Sequence, residues 1–351
     1  MSNRYHAASF SHSTGISRYA SDFYELVLLS RGYTRLEPHG AMIDSIADEI
    51  VARGDEVHVE IGVNETSEIA LLYALLRRGC RSVDVTLHDP PFLRWPHFQF
   101  RNRHLNAASK VFHLYLRNFG IGTAELRMIR RFFVLTEKGR DAVRHRYGFT
   151  NVHYLPFILP VEDIDDPVPS PPNLLFFGFI AANKGLDMAL DLHSGVLEKL
   201  PSTRFFVVGD AINSVGASYL ADLKCRYTTN VEYVGFVEEA ELKAIFLQSS
   251  VVLLPFREYR SVIPASASVL GAMARGRVVF TTDVNAVAQF VRHGRTGCLL
   301  SGSRDKDVLA LVDMLSQPVE ANRIARGAVD YLRIAHSADV VGKAYDAACA
   351  R

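Results

Sequence analysis

Gly178-Phe179-Ile180-Ala181-Ala182-Asn183-Lys184-Gly185 ends one strand-like run and leads into a helical stretch through Leu186 and Met188. The run before it, Asn173–Ile180 (NLLFFGFI), is the first of six of the same kind. The others are Arg204–Asp210 (RFFVVGD), Val231–Phe236 (VEYVGF), Ser250–Phe256 (SVVLLPF), Arg277–Thr282 (RVVFTT) and Gly297–Leu300 (GCLL). Most are apolar at consecutive positions, and they break repeatedly at glycine. Short buried strands alternating with helical stretches imply a parallel sheet covered on both faces. Ligands of such sheets sit at the carboxyl ends of the strands, where these glycines fall. Residues 173–300 therefore read as a domain that holds a phosphorylated small molecule.

With 351 residues, 48% of them hydrophobic, the chain is long enough to bury two cores. Thirty-nine Lys and Arg balance 38 Asp and Glu, so no overall field draws in nucleic acid. Cys80, Cys225, Cys298 and Cys349 have no metal or redox spacing and read as reduced thiols, mostly buried. The first ten residues, MSNRYHAASF, lack the apolar core of a secretory signal, and no apolar run is long enough to span a membrane. The expectation is a soluble cytoplasmic protein.

Composition shifts at Leu159–Pro172, where five prolines and four acids exclude a helix or an interior strand. It reads as a semi-rigid linker. Before it, YHAASF, EVHVEIG, SVDVTLH, RFFVLT and NVHYLP are candidate strands, with helical spacing over Met42–Arg53 and Ile69–Arg78. After Leu300 the pattern is helical, with Val308–Leu315 and Ala328–Ala350 the expected helices. The reading is α/β: two Rossmann-like doubly wound parallel-sheet domains facing across a cleft. They cover residues 1–160 and 173–330, with a hinge at 161–172 and a C-terminal helix over 331–351 packing back toward the first domain.

These landmarks together resemble the GT-B glycosyltransferases, and within them family 4. Gly15-Ile16-Ser17-Arg18-Tyr19 is similar to the family's glycine loop after the first strand, and Thr86-Leu87-His88-Asp89 to its strand-end T-x-H. Val134–Lys138 followed by Tyr147-Gly148 resembles its last N-domain unit. Gly178 to Gly185, Val208-Gly209, Val234-Gly235, Leu254-Pro255, Ala272–Gly276, Thr281–Asp283 and Gly294–Gly297 follow its C-domain order. Each is weak alone; their order and separations carry the resemblance for the fold more than for the chemistry.

The resemblance implies a nucleotide-sugar donor on the C-terminal half, near Gly178, Lys184, Gly209, Asp210, Gly235 and Phe236. Lys184 would set its ammonium charge beside free helix N–H groups, against a diphosphate; the plain alternative is a solvated lysine. The family's arginine after the first glycine is replaced by Phe179, and Arg257 or Arg260 are the cations nearby in sequence. The family's two donor-site glutamates, eight positions apart, align with Ile263 and Gly271, so both carboxylates are missing. Glu258 replaces the first only if the loop is longer than usual. Ser266 and Ser268 either receive a phosphate or simply cap a helix. On the N-terminal side, His88 and Asp89 are the catalytic candidates, His88 hydrogen-bonding a sugar hydroxyl and Asp89 taking the acceptor's proton; the plain alternatives are a structural histidine and an aspartate that caps the next turn. Gly15 and Ile16, with Arg101 and Arg103, are expected on the acceptor side, Gly15 through its tolerance of positive φ. No paired carboxylates with metal spacing occur, so no metal or other cofactor is expected.

Phe92–Arg131 holds eight Lys and Arg (Arg94, Arg101, Arg103, Lys110, Arg117, Arg127, Arg130, Arg131) against one acid, interleaved with aromatics. Such a stretch suits an anionic bilayer surface or a lipid-linked acceptor's pyrophosphate, or is an ordinary amphipathic helix. The function expected is transfer of a sugar, with retention, from a nucleotide donor to a glycan or lipid-linked acceptor in cell-surface glycan synthesis, on the inner face of the membrane. The rivals are a non-catalytic GT-B-like subunit that binds a glycan or a partner enzyme and, more weakly, a sugar-nucleotide epimerase.

Overall fold

The structure is a computed structural model, and it describes residues 2–11, 14–62, 65–91, 125–161, 168–169, 172–211, 213–258, 262–284 and 286–350. Most of the proline-rich hinge, Arg260 and all of residues 92–124, with Arg101 and Arg103, lie outside the described residues. The chain divides into two compact units. The first comprises Met1–Ile158, Ser261–Ala265 and Ala338–Arg351; the second comprises Leu159–Arg260 and Ser266–Ser337.

The first unit is a six-stranded parallel sheet of β1 (Arg4–Ala7), β2 (Tyr33–Leu36), β3 (Glu56–Ile61), β4 (Val83–Leu87), β5 (Arg131–Val134) and β6 (Val152–Tyr154). Its order is β2-β1-β3-β4-β5-β6. Side chains alternate across the sheet. On one face Val57, Val59, Ile61, Val83, Val85 and Leu87 form one apolar cluster with Ala47 and Ile50 of α2 (Ile43–Arg53) and Leu72 and Leu76 of α3 (Thr66–Arg77). Burying each leucine or valine there contributes about 1.5–3 kcal/mol.

The opposite face differs. His6, His58, Glu60, Asp84 and Thr86 point into it, and all five are fully buried. They lie in adjacent rows, because His6 pairs with His58, His58 with Asp84 and Glu60 with Thr86. Aromatic rings cover them: Tyr19 and Phe23 from α1 (Gly15–Phe23), and Tyr345 from the last helix, α11 (Ala338–Cys349). The Tyr345 hydroxyl meets that of Tyr33 at 2.9 Å, and Arg31 pairs with Asp346, so α11 is tied to this unit.

The second unit has the order β12-β11-β10-β7-β8-β9, again all parallel. Its strands are β7 (Leu174–Phe177), β8 (Phe205–Val208), β9 (Val231–Gly235), β10 (Val251–Leu254), β11 (Val278–Thr281) and β12 (Cys298–Leu299). All six lie inside the runs read from sequence. Their helices are α5 (Leu186–Leu197), α6 (Ser214–Arg226), α7 (Glu239–Leu247), α8 (Ala267–Ala274), α9 (Arg304–Ser316) and α10 (Pro318–Ala335); α4 (Glu137–Tyr147) belongs to the first unit.

Two expectations are corrected. The helix expected over Ala328–Ala350 is two helices, α10 and α11, parted at His336-Ser337. Of the four cysteines, two (Cys80 and Cys298) are buried, whereas Cys225 is exposed.

Candidate functional site

In the second unit the carboxyl ends of β7, β8 and β9 run into Gly178 (φ 121°), Gly209 (φ 126°) and Gly235 (φ 87°). The Gly209 N–H donates to Gly235 O at 2.7 Å, and the Gly178 N–H to Val208 O at 3.0 Å, so the three turns are laced together by main chain. Two positions admit only glycine. A Cβ on Gly209 would lie 2.0 Å from Gly178 O, and one on Gly185 would lie 1.9 Å from Pro255 O. Their φ values, 126° and 75°, also disfavour any other residue. The result is a main-chain cradle at the strand ends.

Lys184 follows in the segment after Gly178. It closes a single 3-10 turn, Ala182–Lys184, and Gly185 then starts α5, so the lysine precedes the helix rather than sitting in its first turn. Its Nζ lies 4.8 Å from the centre of the Phe256 ring. Arg257, a candidate to stand in for the family's arginine, is engaged within its own unit. Its guanidinium grips Asp187 through two bonds of 2.9 and 2.6 Å and also donates to Ala182 O, stapling the turn to α5. Asp187 accepts a further bond from the Tyr219 hydroxyl at 2.6 Å. Burial alone would raise the Asp187 carboxyl; Arg257 and Tyr219 outweigh it and hold the group below its ordinary range. Burial, then the neighbouring Asp187, pushes Tyr219 up to about 12.

The two serines separate. Ser266 caps α8, its Oγ accepting the Val269 N–H at 3.3 Å. Ser268 Oγ lies 3.0 Å from where a Gly178 Cβ would be, so it borders the cradle. Asp210 is exposed and accepts from the Ala211 N–H at 2.7 Å. Glu258 is exposed beyond β10, as are Phe179 (41%) and Phe236 (69%) beside the first and third glycines.

In the first unit the structure gathers what the sequence did not reveal. His88 follows β4 and is 7% exposed. Its Nε2 lies 2.8 Å from Glu60 Oε2, while His6 Nε2 lies 2.9 Å from Glu60 Oε1. His58 Nε2 is 2.7 Å from Thr86 Oγ1. Burial alone would raise the Glu60 carboxyl, but the hydrogen bonds from His6 and His88 prevail and hold it far below the carboxylate range. Burial drives His58 the other way for an imidazole, down to about 4, so its ring is neutral at physiological pH. The Tyr19 ring meets His88 edge-on at 4.9 Å. Among the described residues, no group of three or more His, Cys, Asp or Glu is arranged to hold a metal ion.

The remaining candidates scatter. Asp89 is half-buried after His88. Gly15 is the first residue of α1, behind a Thr14–Ser17 capping box, and its backbone is not left-handed, contrary to expectation. Ile16 covers Gly62, where a Cβ would come within 2.2 Å of its Cδ1. Arg130 and Arg131 leave the expected basic surface: both bind the buried Asp84, Arg130 through bonds of 3.0 and 2.7 Å and Arg131 through one of 2.9 Å.

Two doubly wound, all-parallel six-stranded sheets in one chain, the second ending in a glycine-lined cradle, define the GT-B fold. Residues 171–317 match the model of the family described as glycosyl transferases group 1. Among curated proteins, mannosylfructose-phosphate synthase of Agrobacterium fabrum is 23% identical over 212 residues, covering 57% of this chain and 41% of that protein. The chain spans about two fifths of the length of the curated relatives it matches. Several solved structures cover all of this chain and are covered by it. Sucrose-phosphate synthase of Thermosynechococcus elongatus has a TM-score of 0.72 at 14% identity. HepE of Anabaena, in complex with UDP and glucose, has 0.71 at 13%. That likeness is one of fold. Among the described residues no helix is long and apolar enough to cross a membrane.

Proposed function

We propose that the protein is a glycosyltransferase that moves a sugar from a nucleoside-diphosphate donor onto a glycan or lipid-linked acceptor. The observation that carries this reading is the main-chain cradle of Gly178, Gly209 and Gly235 with Ser268 on its border. Turned main chain suits a phosphate because it brings N–H groups close without side chains in the way. In this reading the ammonium group of Lys184, in the segment that follows Gly178, supplies charge for the leaving diphosphate. UDP and glucose in the HepE structure, and the group 1 sequence over residues 171–317, support a nucleotide-sugar donor.

In this reading His88 orients a hydroxyl of the substrate, and Asp89 is its neighbour on the acceptor side. Retention of anomeric configuration is what the family 4 resemblance implies. The five cations among residues 92–124 (Arg94, Arg101, Arg103, Lys110, Arg117) supply an acceptor's pyrophosphate or an anionic bilayer with counter-charge. A second reading, a glycan-binding subunit without activity, is favoured by one specific feature: Ile263 and Gly271 stand where the family has its donor-site glutamates.

A thermal-shift screen against UDP-, GDP- and dTDP-sugars separates the two. Stabilisation by one of them, together with sugar transfer to an added glycan, supports the enzyme. Stabilisation by none supports the glycan-binding subunit.

A further inference from the structure

The buried carboxylate of Glu60 has no part in the function drawn above, yet each of its two oxygens faces a histidine ring. A carboxylate away from water is costly unless every lone pair that matters is matched. Here Oε1 faces His6 Nε2 at 2.9 Å and Oε2 faces His88 Nε2 at 2.8 Å. Both histidine rings present the same atom, Nε2, to the same acid.

The consequence is stoichiometric. An ionised carboxylate accepts hydrogen bonds and donates none. Each ring must therefore carry its hydrogen on Nε2, and in a neutral ring Nδ1 is then left as a lone pair. For His6 that lone pair is buried and has no hydrogen-bond partner among the described residues. His88 is at the edge of the network, just past the carboxyl end of β4, with the Tyr19 ring set edge-on against it at 4.9 Å. Its ring is thus held from two sides.

We propose that Glu60 is a positioning residue for His88: it fixes the Nε2–H tautomer and so leaves Nδ1 as a hydrogen-bond acceptor. His6 supports this by occupying the other carboxylate oxygen, so that Glu60 stays charged and does not rotate. The chemical class recognised follows directly. A lone pair on Nδ1 takes a hydroxyl that donates, such as a sugar O–H, and repels a phosphate oxygen. The inference rests on the glycosyl-transfer reading only for what reaches Nδ1. The tautomer is a property of the chain without substrate.

The test is nitrogen-15 NMR of the imidazole rings in the full chain at pH 8, where histidines of ordinary pKa are neutral. His88→Gln and His6→Gln variants identify the two spin systems. The expected wild-type result is a pyrrole-like Nε2 and a pyridine-like Nδ1 in both rings. Glu60→Gln keeps the size but offers one acceptor and one donor, so one of the two rings must switch to Nδ1–H. A wild-type His88 with its hydrogen on Nδ1, or rotating freely between tautomers, overturns the proposal. So does a folded Glu60→Gln protein in which neither ring changes. If Glu60→Gln does not fold, the wild-type spectrum decides alone. The same spectra are obtained whether or not any nucleotide binds, so failure here and failure of the proposed function are told apart.

Discussion

The two sheets have the same strand count and the same all-parallel pairing, but they spend their interiors differently. In the second unit the strand residues of β7, β8, β10 and β11 are almost wholly apolar and buried, and the polar work is done by turned main chain at Gly178, Gly185 and Gly209. In the first unit one face is aliphatic and the other carries His6, His58, Glu60 and Asp84, buried and joined to one another or to arginines. A site built from main chain tolerates no added atom where its turns touch, as at Gly185 and Gly209. One built from side chains tolerates changes of size better than changes of charge or of donor pattern.

The largest effect expected is at the main-chain cradle. Gly209→Ala must fit a methyl group 2.0 Å from Gly178 O at a φ of 126°, which nothing flexible relieves. A loss of about 3 kcal/mol of stability is expected, read as a lower urea midpoint. An unchanged midpoint would mean that the turn at Gly178 yields easily.

The next is a pH dependence in the first unit. His58 in the folded chain is held down to about 4, against about 6.5 for a free imidazole. Between these values the unfolded chain takes up a proton that the folded chain refuses, so stability is lost as pH falls from about 6.5 toward 4. The slope reaches about 1.4 kcal/mol per pH unit. His58→Gln removes this share. Urea midpoints at pH 7 and pH 5 should differ less in the variant than in the wild type, and equal differences would contradict the assignment to His58.

Lys184→Ala should leave the fold intact and weaken nucleoside-diphosphate binding more than tenfold, about 1.4 kcal/mol, by calorimetry. The smallest effect is expected at Gly235. It shares a positive φ of 87° with the other turns, but nothing lies within 4 Å of an added Cβ. Gly235→Ala should cost only about 1 kcal/mol, and a loss as large as at Gly209 would erase the distinction between strain and collision.

The second unit was legible because its apolar runs have one reading. In β7, β8, β10 and β11 no solvent-facing alternation competes, and glycine marks the ends of β7, β8 and β9. The first unit was less legible for a physical reason. EVHVEIG alternates, and alternation ordinarily places the polar residues in water. In a parallel sheet covered on both faces that inference fails, and His58 and Glu60 become an interior pair. A charged residue at alternate positions of such a strand is the signal that could have found the network. The strand β2, Tyr33–Leu36, went unnoticed because it is four residues long, at the sheet edge, with Thr34 and Arg35 exposed. The break at His336-Ser337 was hidden because alanine-rich spacing runs on both sides of it. Arg130 and Arg131 looked like surface charge because Asp84, their partner, is 46 residues away in sequence from Arg130.

The most direct measurement is a calorimetric titration of the full chain with UDP, GDP, dTDP, ADP and CDP, repeated on Lys184→Ala. The account predicts that one of these binds one-to-one to the wild type and at least tenfold more weakly to the variant. Binding of none of them, or equal binding to both proteins, would contradict it.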